Sequence, residues 1–477
     1  MKRNLFYALA AVAWLALPWS GSAAAATIPE QAAAIAAQIK QPVIPQDVRV
    51  SVCDYGAVSA DRQDDLPAFQ QAVQAVHDKG GGVVEVPPGH FYLAGPLTLL
   101  SRVELHLQDG AVVEFSNRPR DYEKYIVLTR FECTECYNYS PFIYANGAED
   151  IAITGSGKER QGIIDGHGEA WWPWVGAGLW KNCAPSQYED SENLKDMGNS
   201  DVPVEQRVFG KGHYLRPSLI APYASKRILI KGVRIKDSPM YNVAPMLCEN
   251  VTVDKVTIQA SGPNTDGVDP DACRNVWIKN SSFTTGDDCI AIKAGRDNDG
   301  RRIGVATENV VIENNVFHDG HGGVTVGSEM AGGVHHVYSL NNRMDSPDLR
   351  WAYRFKTNSM RGGGLTDFYA YGDTIQQVNR AVMTVDMAYG GGDIGDFTPD
   401  IHGLHFEKIT AKAHNKPLGT IETYERNPVY DFTWKDCTLT HVNVYDKQAI
   451  RCENTPQENI TYQQVTVNGK PYQGPGK

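Results

Sequence analysis

Short runs of alternating apolar and polar residues recur along this chain. Each closes on an Asn, Asp or Gly turn and is followed by a second alternation. They read KRILIKGVRI from Lys226, ENVTVDKVTI from Glu249, RNVWIKNSSF from Arg274, ENVVIENNVF from Glu308 and HHVYSLNNRM from His335. Later copies are TDFYAYGDTI from Thr366, HGLHFEKITA from His402, YDFTWKDCTL from Tyr430 and ENITYQQVTV from Glu458, and an earlier one, EDIAITGSG, starts at Glu149. Their first apolar positions from Ile228 onward are Val251, Val276, Val310, Val337, Phe368, Leu404, Phe432 and Ile460. Period two is the strand period. The spacing suits stacked coils and is too short for four-stranded propeller blades. The pattern predicts an all-β fold, a single-stranded right-handed parallel β-helix (a solenoid) whose coils stack about 4.8 Å apart.

A solenoid end must be covered. DDLPAFQQAVQAVHDKGGG (64–82) predicts a short N-terminal capping helix, started at Asp64 or Asp65, with Pro67 in its first turn, Gly80 at its end and Phe69, Val73 and Val76 as its apolar stripe. The stretch 156–215 interrupts the repeat and holds Trp171, Trp172, Trp174 and Trp180. It reads equally as a packed insertion or as the wall of a sugar-binding groove. Residues 1–26 have a charged start, a short apolar stretch and a small-residue run, the layout of a signal peptide. We therefore expect residues 27–477 to form one β-helix domain, exported to the periplasm or beyond the cell, with no membrane span.

Composition narrows the partners. The 477-residue chain has a formal charge of −11, and losing Lys2 and Arg3 with the leader makes it more negative. That argues against nucleic acid and anionic membranes, but a local basic cluster can still meet a polyanion. Nine cysteines include one C-x-x-C, Cys133 and Cys136, without the second pair a zinc site needs. No metal or cofactor is expected.

The repeat turns sequence offset into stacking. Asp287, in TGDDCIAIK, lies as far beyond Val276 as His321 lies beyond Val310, so the two should sit one coil apart on one edge. Aligning DGVD with DCIA places Asp266 beneath Asp288. In the following coil Arg354 and Lys356 flank Phe355 and face the same way. Asp287 and Asp288 cannot both face outward on a regular strand, so they should precede it, where Gly286 bends the chain. Three clustered carboxylates force at least one pKa upward. Folding alone has no use for that, whereas glycoside hydrolysis needs one carboxyl as acid and another to activate water or attack carbon.

NTD (264–266), GDD (286–288), GHG (320–322) and RFK (354–356), in this order, resemble the four signature motifs of glycoside hydrolase family 28, the polygalacturonases. The likeness extends to DYGAVSADRQDDLPAFQQAV, GGGVVEVPPGHFYL and TRFECTECYNYSPFIYA. It implies an inverting hydrolase of α-1,4 bonds between galacturonic acid units. Asp287 would be the general acid, and Asp266 and Asp288 would activate water. His321 would support the protonation of the acid, and Arg354 and Lys356 would bind the substrate carboxylate. VMTVDMAYG resembles the segment that supplies a substrate-contacting tyrosine, here Tyr389. The expected partner is galacturonan or its oligomers, met by a monomer. The Trp-rich insertion favours exo over endo action, since insertions can close a groove. The rivals are rhamnogalacturonan hydrolysis, a Ca²⁺-dependent pectate lyase with aspartate ligands and a non-catalytic carbohydrate-binding β-helix.

Overall fold

The computed structural model describes residues 26–157 and 159–475. The leader expected over 1–26 lies, apart from Ala26, outside the described residues. The chain winds as a right-handed parallel β-helix with three faces. The first face is a 13-stranded sheet that runs from Arg49–Ser51 to Ile460–Gln463. Its register joins the apolar anchors read from the sequence: Ile228 pairs with Val251, Val251 with Val276, Val276 with Val310 and Val310 with Val337. The ladder continues through Phe368, Leu404 and Phe432 to Ile460.

Alternation decides which side chains fill the coil. In Arg274–Lys279, Val276 and Ile278 are buried and the flanking positions are not. Phe283 and Phe317, one coil apart, stack inside with ring centroids 5.3 Å apart. Turns are pinned by a buried amide ladder. The Asn315 backbone N–H donates to Asn342 Oδ1 (2.9 Å), and the Asn342 N–H donates to Asp373 Oδ1 (2.7 Å). Burial lifts the Asp373 carboxyl to about 6, against the hydrogen bonds it accepts.

The helix Leu66–Asp78 covers the N-terminal end, with Phe69, Val73 and Val76 fully buried. Asp64 accepts the Leu66 N–H, while Asp65 turns away to the backbone of Val58 and Tyr92. At the other end an antiparallel pair, Val465–Val467 with Lys470–Tyr472, closes the last coil. A second helix, Ile28–Ala36, was not foreseen. It starts on a Thr27/Glu30 capping box and rests Ile28 and Ala32 against Val311, Tyr338 and Leu340 on the outside of the first sheet.

The Trp-rich insertion is packed. Trp171 and Trp174 lie in the core, edge-on to one another at 4.8 Å, and Trp171 also meets Tyr122 and Phe142. The helix Tyr188–Asn199 follows. All nine cysteines are unpaired, and burial pushes the Cys136 thiol up to about 12.

Asn342 also donates Nδ2 to the Ile312 carbonyl (3.0 Å), so its loss strands several buried groups. Asn342→Ala is expected to cost about 1–3 kcal/mol per stranded group. Hydrogen exchange should show that loss centred on the coils of Asn315 and Asp373, and unchanged protection there would contradict the ladder's role.

Candidate functional site

The third face carries the site. Its strands include Ile290–Ile292, the C-terminal part of Val316–Gly327, Leu349–Lys356 and Ala381–Asp386. The strand before the acid pair ends at Thr285 and the next begins at Ile290, so Asp287 and Asp288 occupy the corner between them. Gly286 is required there because a Cβ would overlap the Gly262 carbonyl oxygen. One coil on, the 12-residue strand Val316–Gly327 turns the same corner at Gly320, with φ 153°. A Cβ at Gly320 would lie 2.7 Å from Cys289 Sγ and 2.8 Å from the Asp287 carbonyl oxygen. That close approach lets the His321 N–H donate to the Asp287 carbonyl (2.9 Å).

The structure brings together all seven residues expected from sequence. Val268 pairs with Ile290, which sets Asp266 beside Asp288. Carboxylate oxygens of Asp266, Asp287 and Asp288 all lie within 4.8 Å of one another. His321 Nδ1 is 2.8 Å from Asp287 Oδ1. Lys356 Nζ donates to Asp288 Oδ2 (2.8 Å) and Arg354 Nη1 to Asp288 Oδ1 (3.2 Å). The Tyr389 ring lies 5.0 Å from Lys356 Nζ and 5.4 Å from the Arg354 guanidinium carbon. The rim of the cluster is Asp287 and His321, whose side chains are 18% and 27% exposed, while Asp288 is at 0%.

The three acids differ in charge. Burial, reinforced by the charges of Asp269 and Asp287, pushes the Asp266 carboxyl far above the ordinary carboxylate range. Burial also works against ionised Asp288, but the charges of Lys356 and Arg354 outweigh it and hold that carboxyl well below its usual value. Burial would raise Asp287 too, and the hydrogen bond with His321 overcomes it and lowers the carboxyl. His321 thus favours ionised Asp287 here, the reverse of the support for protonation that the resemblance implied. Of the three, Asp266 is the carboxyl whose surroundings most favour the protonated form. A single cation could bridge the three acids, yet both Asp288 oxygens already face cationic side chains, which repel a metal ion from that flank.

Four supporting residues were not foreseen. Arg216, directly after the insertion, donates to the Pro263 carbonyl (2.8 Å) and Asn264 Oδ1 (2.7 Å) and so fixes the loop before Asp266. Asn242 Nδ2 donates to the Asp266 carbonyl (2.9 Å). Asp269, in the same segment as Asp266, is buried with both carboxylate oxygens lacking a hydrogen bond, and Lys293 Nζ stands 3.6 Å away. Only Asp269 carried a sequence signal, as the second acid of NTDGVD.

One outward-facing column shows the shape of the groove. It runs Tyr144, Ala221, Ala244, Asp269, Ala291, Thr325, Arg354, Thr384, Thr420 and Arg451. The column is buried up to Thr325, half-buried at Arg354, buried again at Thr384 and exposed at Thr420 and Arg451. Before Asp269 it is covered by Phe131, Leu194, Phe209 and Leu215, from the hairpin Ile126–Tyr139 and the insertion, together with Tyr241.

A family model for glycosyl hydrolases family 28 matches residues 209–462. A probable polygalacturonase of Vitis vinifera is 28% identical over 76% of this chain and 68% of its own length. An endo-polygalacturonase of Pectobacterium carotovorum subsp. carotovorum is 26% identical over 80% of this chain and 86% of its own. The crystal structure of a hyperthermoactive exopolygalacturonase from Thermotoga maritima superposes with a TM-score of 0.84 at 36% identity, covering 93% of this chain and 96% of that one.

Lys356→Met strands a buried carboxylate. It should destabilise the protein by about 3–5 kcal/mol near neutral pH. Because the Asp288 pKa is depressed in the folded state, its contribution is present above the unfolded value of about 4 and fades as pH falls below it. Unfolding curves of the two proteins should therefore converge in acid, and a constant gap from pH 7 to pH 3 would contradict this pairing.

Proposed function

The chain belongs to glycosyl hydrolases family 28 and is a pectin-degrading glycoside hydrolase, and from that premise we propose that it is an exported, monomeric exo-acting enzyme that hydrolyses α-1,4-galacturonosyl bonds with inversion. The observation that carries the exo reading is the column of outward positions, covered before Asp269 and exposed only at its far end, at Thr420 and Arg451. A chain end can enter such a groove, and a chain interior cannot pass through it. The likeness to an exopolygalacturonase over nearly the whole chain supports the same reading.

In this proposal Arg354 and Lys356 bind the carboxylate of a galacturonate unit, with Tyr389 against their charged ends. Asp287, on the exposed rim, gives its proton to the leaving oxygen. Substrate brings negative charge beside the cluster and draws Arg354 and Lys356 away from Asp288. Both effects raise the proton affinity of the coupled carboxylates, which counters the hold of His321 on ionised Asp287. Asp266 and Asp288 hold the water. The cluster's shared proton, on Asp266 at rest, passes to Asp287 when substrate binds, and Asp266, then ionised, takes the proton of the attacking water.

The oxygens of the cluster are closer than the roughly 6.5–9.5 Å usual between the two carboxyls of inverting enzymes. What supports inversion is the membership of glycosyl hydrolases family 28, whose signature motifs imply an inverting hydrolase.

Digestion of polygalacturonate in the presence of a chelator tests the function. Monomer or dimer should appear first, as saturated products. A mixed ladder would mean endo action, and activity restored only by Ca²⁺ with unsaturated products would mean a lyase. Asp287→Asn should lower kcat by about 10²–10⁴-fold while leaving binding of oligogalacturonate in place, and a variant of ordinary activity would remove Asp287 from the mechanism.

A further inference from the structure

Beyond Arg354 and Lys356 the open part of the groove is electrically two-sided. On one flank Lys356 pairs in register with Asp386, Asp386 with Glu422 and Glu422 with Glu453. One carboxylate per coil therefore lines that side. Burial and the charges of Asp386 and Glu453 raise the Glu422 carboxyl, whereas at Asp386 the charges of Arg354 and Lys356 work against burial. On the other flank Gly320 pairs with Leu349 and Gly322 with Trp351, so Arg350 follows His321 in the next coil. The Arg380 N–H donates to the Arg350 carbonyl (2.8 Å), one coil further. The half-buried indole of Trp351 joins two guanidiniums: Arg354 lies 4.8 Å from its ring centroid and Arg380 lies 4.9 Å from it.

A cation held against an aromatic ring loses freedom but keeps its N–H donors for a carboxylate. Arg380 is exposed, so its donors face solvent on the open side. A polyanion leaving the cluster finds repulsion on the Asp386 side and a fixed positive charge on the Arg380 side.

We propose that Arg380, held by Trp351 in line with Arg354, binds the carboxylate of a further uronate unit on the open side of the groove, while Asp386, Glu422 and Glu453 keep the chain off the opposite flank. This site rests on the galacturonide reading above and deepens it, since it makes affinity depend on chain length. Digalacturonate is spent on the cluster itself, and longer chains alone reach Arg380.

Isothermal titration of the Asp287→Asn protein with digalacturonate and tetragalacturonate, with and without Arg380→Ala, reads this directly. Binding is scored whether or not the wild-type enzyme turns these sugars over, so failure of the hydrolase reading is seen separately in wild-type turnover. The tetramer should lose about five- to ten-fold in affinity and the dimer less than about two-fold. Trp351→Ala should reproduce the tetramer loss, and Trp351→Phe, which keeps a ring, should recover part of it. Equal losses for both sugars, or no loss for the tetramer, would overturn the proposal.

Discussion

The fixed spacing of a parallel ladder governs this molecule. Each coil is hydrogen-bonded to the next in register, so a residue at a given offset from its anchor stands directly over its counterpart one coil before. The constraint was needed only to stack Ile228, Val251, Val276 and their successors in a continuous core. Its by-product is that polar residues outside the core also stack, and charges that are remote in sequence are forced together. Asp266, Asp288, His321 and the Arg354/Lys356 pair come from four successive coils and have no freedom to separate. The buried charge of Asp288 survives because the same register supplies two cations to it.

That origin explains what was legible in the sequence. The anchors could be read because period two is imposed on every coil, and the stacking of Asp287 with His321 and of Asp266 with Asp288 followed from counting. The bend at Gly286 was also visible, since two adjacent acids cannot share one strand face. Outside the repeat, counting has nothing to act on. Arg216 reaches Asn264 from the edge of an aperiodic insertion, and the hairpin Ile126–Tyr139 lies across coils distant in sequence. The helix Ile28–Ala36 is Ala-rich and directly follows the stretch expected to be a leader, so it carried no amphipathic contrast that stood out. Of the four tryptophans weighed as core or groove wall, Trp171 and Trp174 are core.

The electrostatics were the least legible part. Crowding of three acids told that one must keep a proton, but not which one. Relative burial and the nearest cation decide it: Asp266 is sealed among carboxylates, Asp288 between Lys356 and Arg354, and Asp287 meets His321 at the rim. The same crowding makes the site respond to an anionic substrate, because each added negative charge shifts the shared proton equilibrium. In the proposed mechanism, an acid ionised at rest and protonated on binding follows from that coupling.

The central claim is that one displacement by water, with no covalent intermediate, occurs at this cluster despite its short carboxyl spacing. Proton NMR of the anomeric centre in the first product from an α-1,4-linked oligogalacturonide, followed before mutarotation, tests it most directly. The account predicts the β-anomer first. Initial release of the α-anomer would contradict it and would assign one of the three aspartates to a covalent role.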